Sequence, residues 1–205
     1  MENAINKSFS HKPVLFSKLS RKVKQDLGAT DVEDLVGRYD ASPWLDGEQV
    51  ALIVHPNPAF SQMLDARGRV IDAYPRIEKA ARIALSYYMR HAEPMVLFGT
   101  LRPGRQDMQV VLDDMILLEE FGEGVSERPY TNRRQALELW FRAHAPSAYV
   151  CLNPIYTAGT YGSAQGLADT LGGPGIILRS VSGPWVAGNG TGGQVIAVPR
   201  TVDAE

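Results

Sequence analysis

The segment Pro43-Trp44-Leu45-Asp46-Gly47-Glu48-Gln49 decides the fold of this chain, because it places an Asp-Gly pair between two strand-forming stretches. Asp-Gly is typical of tight turns. The apolar run 50–54 follows it directly, so we predict a strand on each side of the turn. Similar apolar runs beside glycine return later in the chain, at 96–101, 173–179 and 194–200.

Taken together and in this order, the four segments resemble motifs I, III, IV and V of the ATP-dependent DNA ligases, a family of covalent nucleotidyltransferases. The resemblance covers about residues 38–200, and the run 111–118 is similar to the family's motif IIIa strand. It implies an α+β fold, a ligase-like nucleotidyltransferase (adenylation) domain of antiparallel sheets flanked by helices. We expect residues 1–37 to form an N-terminal helical segment that makes a single globular unit with a degenerate nucleotidyltransferase domain at 38–205. Ligases continue past motif V into an oligonucleotide-binding (OB) barrel, and we expect no such C-terminal domain here.

The motif I match lacks the residue that starts the family's reaction. In ligases a lysine amine attacks the α-phosphorus of ATP, which requires an unprotonated nitrogen in line with the leaving pyrophosphate. The matching residue is Trp44, whose indole N–H is only a donor. Asp46 and Gly47 agree with the motif, but Gln49 replaces an arginine and removes a planar cation.

The other motif matches lack the family's charged groups as well. Motif III has Phe98 and Thr100 in place of aspartate and glutamate, and motif IIIa has Leu112 in place of an aromatic residue that packs on adenine. In motifs IV and V a glutamate is replaced by Pro174, and two lysines that hold the α-phosphate are replaced by Ala197 and Pro199. Since Mg²⁺ needs oxygen ligands, we expect no metal site. The predicted vestigial nucleotide cleft comprises Trp44, Asp46, Gly47, Gln49, Thr100, Leu112, Pro174, Arg179, Ala197 and Pro199.

The distribution of lysine supports this interpretation whatever the alignment. Lys79 is the last of six lysines, so residues 80–205 contain none. No shift of the alignment can therefore supply the motif V lysines. Lys22 and Lys24 precede motif I on a predicted helix, where they are typical of solvated charges.

Several cations remain that could bind phosphate. Arg179 matches the basic residue that ends motif IV, and Arg200 ends the motif V match. Two clusters elsewhere add further candidates. The predicted phosphate-binding set is Arg179, Arg200, Arg133, Arg134, Lys22 and Lys24. The alternative is a surface ion pair for Arg179, and solvated charges for Arg133, Arg134, Lys22 and Lys24.

Trp44 itself allows three interpretations. Its indole could fill the space of the lysine and adenylate, offer a stacking face to a base, or occupy an unrelated surface or core position. We favour the first.

Composition restricts the class of protein. The chain has 205 residues, 44% of them apolar, and a net charge of -2, which gives no overall attraction to nucleic acid. Cys151 is the only cysteine, and the four histidines lack ligand spacing, so we expect no cofactor. No apolar run approaches bilayer length and the N-terminus does not resemble a signal peptide, so we expect an intracellular protein without a membrane segment.

These observations leave three functional hypotheses. The one we favour is a catalytically inactive ligase-like domain that acts as a binding or structural module in a larger assembly with a protein partner, for example as a viral accessory or virion component. The second is a nucleic-acid or nucleotide binder. The third is a divergent nucleotidyltransferase with a different nucleophile.

Overall fold

The computed structural model describes residues 37–71, 74–86, 93–105, 107–143, 148–157, 161–187 and 195–200. These residues form two compact units. We call Gly47–Leu152 with 184–187 the large unit, and 37–46 with 153–183 and 195–200 the small unit. The predicted helices before residue 37 lie outside the described residues, and the single globular unit stays a prediction.

The large unit is built on a five-stranded sheet in the order β3-β2-β4-β5-β7. The strands are β2 (Glu48–Val54), β3 (Gln62–Asp65), β4 (Met95–Pro103), β5 (Met108–Leu117) and β7 (Val150–Leu152). Two helices, α1 (Pro75–Ser86) and α3 (Tyr130–Ala143), pack on one face, where they enclose a core that includes Leu52, Leu97, Leu112, Ile77 and Leu137. Alternate strand residues enter this core, as expected for a sheet with one face covered by helices.

The other face of this sheet carries a second apolar cluster. It includes Ala51, Ile53, Val96, Phe121 and Trp185, with Phe98 packed against them. Phe121 comes from a short helix, α2 (Leu118–Glu123), and Trp185 comes from β9 (Trp185–Val186), which pairs with β6 (Val125–Ser126).

The small unit is a three-stranded antiparallel sheet with one helix. Its strands, in the order β1-β8-β10, are β1 (Tyr39–Trp44), β8 (Gly175–Ser180) and β10 (Val195–Pro199). Helix α4 (Tyr161–Thr170) presents Ala164 and Ala168 to Ala41, Ile176 and Leu178. The small alanine side chains allow the helix to lie close to the sheet.

The predicted α+β architecture is confirmed, with one correction. β5 and β7 pair in parallel, so the large sheet is mixed rather than antiparallel. The chain between them contains α2, β6 and α3, which is long enough for the crossover that a parallel pair requires. No helix among the described residues is long and apolar enough to cross a membrane.

Candidate functional site

The ten positions assigned to the vestigial cleft divide between the two units. Gly47, Gln49, Thr100 and Leu112 lie in the large unit, and the remaining six lie in the small unit. Each set has its own geometry.

In the small unit, three motif matches meet in one row of the sheet. Trp44 in β1 and Pro199 in β10 are both opposite Gly175 in β8. Gly175 has a φ of +153°, and a Cβ there would overlap the carbonyl oxygen of Val198. The neighbouring Pro174 accepts a hydrogen bond of 2.7 Å from the backbone N–H of Arg200. The matches to motifs I, IV and V therefore lie side by side where β1 and β10 end and β8 begins.

Four predicted cleft residues share one face of the small sheet. Trp44, Arg179, Ala197 and Pro199 alternate with the residues that pack on α4, so they lie on the opposite face. Trp44 is half-buried and Ala197 is fully buried, whereas Asp46 and Pro174 are exposed. The face that would carry the family's charged groups is mainly apolar here.

The two small-unit arginines differ in environment. Arg179 is only 5% exposed, and its Nη1 donates a hydrogen bond of 2.8 Å to Ser42 Oγ. The side chain of Arg200 is 51% exposed, with Nε 3.2 Å from Asp169 Oδ1. Arg179 is thus held within the unit, while Arg200 is the more accessible cation.

In the large unit, the replacements in motifs I and III contact each other. Gln49 Nε2 donates a hydrogen bond of 2.9 Å to Thr100 Oγ1, and the two residues are direct partners across β2 and β4. Gly47, immediately before β2, lies so close to β4 that a Cβ would overlap the carbonyl oxygen of Leu101. A neutral amide and a hydroxyl satisfy one another where the resemblance implies a cation and a carboxylate.

Phe98, the other motif III replacement, belongs to an aromatic cluster. Its ring stacks on Trp185 with the centroids 5.2 Å apart and an interplanar angle of 24°, and it lies 6.1 Å from the ring of Phe121. An aspartate at this position would be buried among rings without a cation, which is unfavourable. This environment therefore suits an apolar residue.

Leu112 does not join the Gln49–Thr100 pair. It is fully buried in the core beneath the helices, on the opposite sheet face. The register between β4 and β5 shifts at Phe98 and Gly99. This irregularity changes which β5 residues lie beside each residue of β4.

Arg133 and Arg134 of α3 are buried and engaged in structural contacts. Arg133 Nε and Nη2 donate to the two carboxylate oxygens of Asp114 at 3.0 and 2.8 Å. Arg134 Nε lies 3.0 Å from Glu138 Oε1, and Nη1 contacts the carbonyl oxygen of Asp113 at 3.3 Å. Their contact with phosphate stays a prediction, as it does for Lys22 and Lys24, which lie outside the described residues.

Carboxylates do not converge in the described part of the chain. No group of three histidine, cysteine, aspartate or glutamate side chains there could hold a metal ion. Lys79 is the one lysine in this part, and it is exposed on α1.

Solved DNA ligase structures share this architecture. The chain matches "Pmar-Lig_PreS3" with a TM-score of 0.73 at 14% identity, over 93% of this chain and 46% of that chain. The fold is that of a ligase adenylation domain. The ligase-like fold also matches the ligase domain of LigD from M. tuberculosis, with a TM-score of 0.62 at 14% identity over 93% of this chain and 61% of that chain.

A third structure, the ATP-dependent DNA ligase from bacteriophage T7 in complex with ATP, gives a TM-score of 0.62 at 12% identity, over 95% of this chain and 69% of that chain. No protein-family model and no curated protein matches the sequence. The chain spans about half the length of the first of these structures, at 46%. At this identity the ligase-like fold is what the likeness establishes.

Sequence reasoning missed the partners of two motif replacements. The Gln49–Thr100 bond joins residues 51 positions apart, and Trp185 lies on a two-residue strand with no periodic pattern. Neither contact has a local signal. The only signal in the sequence was that polar Gln49 and Thr100 both fall in otherwise apolar predicted strands.

Proposed function

We propose that this chain is a noncatalytic ligase-like domain that acts as a binding or structural module. The observation that carries the proposal is the position of Trp44. It lies in one row with Gly175 and Pro199, where the matches to motifs I, IV and V meet. Indole nitrogen cannot form a phosphoramide, because its lone pair belongs to the ring.

The surroundings of the motif III match support the same proposal. Thr100 is bonded to Gln49, and Phe98 packs against Trp185. Neither position offers a carboxylate for ribose or for metal-bound water. Restoring the lysine alone would therefore leave the nucleotide without its usual acceptors.

The replacement of both motif V lysines also favours loss of the reaction. Ala197 is fully buried and Pro199 half-buried on the sheet face that carries Trp44, and residues 80–205 contain no lysine. Without these cations, charge on the leaving pyrophosphate would be poorly stabilised.

In such a role the domain would act in a larger assembly with a protein partner inside the cell, for example as a viral accessory or virion component. Nucleic acid is the alternative partner, since Arg200 keeps a side chain that is 51% exposed. Binding to DNA or RNA across a salt series tests this alternative, because a phosphate-driven interaction weakens as salt rises.

Transfer of label from ATP or GTP labelled on the α-phosphate tests the loss of catalysis. The chain would be incubated with either nucleotide and Mg²⁺ or Mn²⁺, beside an active ATP-dependent DNA ligase as positive control. We expect label on the control alone. Label that stays with this chain after denaturation would overturn the proposal.

A further inference from the structure

Arg102 is a cation that the motif comparison does not use. It lies in β4 on the same sheet face as Thr100, two residues further along the strand. Its Nε is buried and has no hydrogen-bond partner, and no carboxylate forms an ion pair with it among the described residues. Arg102 as a whole is half-buried, and an anionic acceptor would satisfy the unused donor on its Nε.

The cross-strand neighbour of Arg102 is an uncharged hydrogen-bonding residue. Gln109 in β5 is its direct cross-strand partner. The oxygen of Gln109 lies 4.0 Å from the sulfur of Cys151, which leaves the amide nitrogen of Gln109 as a donor. Arg102 and Gln109 thus carry donor groups at paired positions of adjacent strands, on one face of the sheet.

The thiol cannot neutralise Arg102. Burial raises the pKa of Cys151, and this effect outweighs the opposing influence of the nearby Arg102 charge. At neutral pH the sulfur therefore carries a proton. The thiol therefore leaves the positive charge of Arg102 uncompensated.

We propose that Arg102 and Gln109 form a binding site for one phosphate-type oxyanion on the sheet face that carries Gln49 and Thr100. A planar guanidinium and an adjacent amide match the geometry of two oxygens of such an anion. The oxyanion could be inorganic phosphate, a nucleotide phosphate or the backbone of a nucleic-acid strand, which share this chemistry. Binding requires no bond to form or break, so the site does not depend on whether the ligase reaction is lost.

Calorimetric titration with three probes tests the site: inorganic phosphate, ATP without metal, and a single-stranded oligonucleotide. Arg102→Met removes the guanidinium and keeps an apolar stem. Arg105→Met is the matched control, because Arg105 is exposed in the turn between β4 and β5 and the change in net charge is the same.

We expect the wild type and Arg105→Met to bind at least one probe, and Arg102→Met to bind it at least about tenfold more weakly. The probe that binds identifies the source of the phosphate. Gln109→Met provides a second test if Arg102→Met does not fold, with an expected loss of about threefold or more. Wild-type protein that binds none of the three probes would overturn the proposal, as would variants at 102 and 109 that bind as tightly as the wild type.

Discussion

Gln49 Nε2 donates a hydrogen bond of 2.9 Å to Thr100 Oγ1, which joins the replacements in motifs I and III across adjacent strands. The resemblance implies an arginine and a glutamate at these positions, both directed at nucleotide. In this chain the two side chains bind each other. Thr100 is buried, so its hydroxyl depends on this partner rather than on solvent.

Thr100→Val should therefore destabilise the large unit, since it keeps the shape of the side chain but removes the acceptor. We expect a loss of about 0.5–1.5 kcal/mol in the free energy of unfolding. Urea denaturation measures this, with Thr100→Ser as the control that keeps the hydroxyl. If Gln49→Ala and Thr100→Val gave strictly additive effects in a double-mutant cycle, the bond would contribute nothing.

Arg133→Met should be much more costly. The guanidinium is 3% exposed and makes two parallel hydrogen bonds to Asp114, so its removal leaves a buried carboxylate without its cation. We expect a loss of about 3–5 kcal/mol. Arg67→Met, at an exposed position, should stay within about 0.5 kcal/mol of wild type. Equal losses for the two variants would show that the buried pair has no special role.

Glu120 should make stability depend on acid pH. Burial raises the pKa of its carboxyl, but hydrogen bonds from Arg128, the Leu117 N–H and Ser126 outweigh burial, so the pKa lies below the ordinary 4.5. A lowered pKa in the folded state means that its stabilisation is complete above the unfolded value and is lost as the pH falls through the folded value.

Glu120→Gln should thus cost about 1–3 kcal/mol at neutral pH, since the side chain is only 18% exposed and loses charge-assisted bonds. The difference from wild type should shrink as the pH is lowered below 4.5. Urea denaturation at a series of pH values measures that difference. A constant difference from neutral to acid pH would rule out this role of the carboxylate.

Gly175 and Gly166 should respond to alanine in opposite directions. A Cβ at Gly175 would overlap the carbonyl oxygen of Val198, and its φ of +153° disfavours any side chain, so we expect Gly175→Ala to cost at least about 1–3 kcal/mol. Gly166 lies inside α4, where an added Cβ would meet nothing within 4 Å, so Gly166→Ala should stabilise by about 0.5–1 kcal/mol. Thermal unfolding distinguishes the two, and a neutral Gly175→Ala would contradict the close strand approach.

The long apolar elements could be predicted from the sequence because their signals are local. The strands predicted on either side of Asp46-Gly47 are present as β1 and β2, and the run 111–118 matched to motif IIIa lies in β5, Met108–Leu117, except for its last residue. β5 ends at Leu117 because α2 starts at Leu118 and Glu120 accepts a hydrogen bond from the Leu117 N–H. The end of β5 thus depends on a side-chain contact rather than on apolar periodicity.

The geometry of the candidate site was harder to predict from the sequence. Which sheet face Leu112 occupies depends on the register shift at Phe98 and Gly99, and a one-residue shift reverses the direction of a strand side chain. Motif matching located Trp44, Gly175 and Pro199 separately, but only the register of β1, β8 and β10 shows that they form one row.

Intact-mass measurement of the full chain tests most directly that this site cannot take up a nucleotide covalently. The protein would be weighed as purified and again after incubation with excess ATP or GTP and a divalent metal. We predict the mass of the unmodified polypeptide in every sample. A species heavier by one nucleoside monophosphate would contradict the account, wherever on the chain the nucleotide were attached.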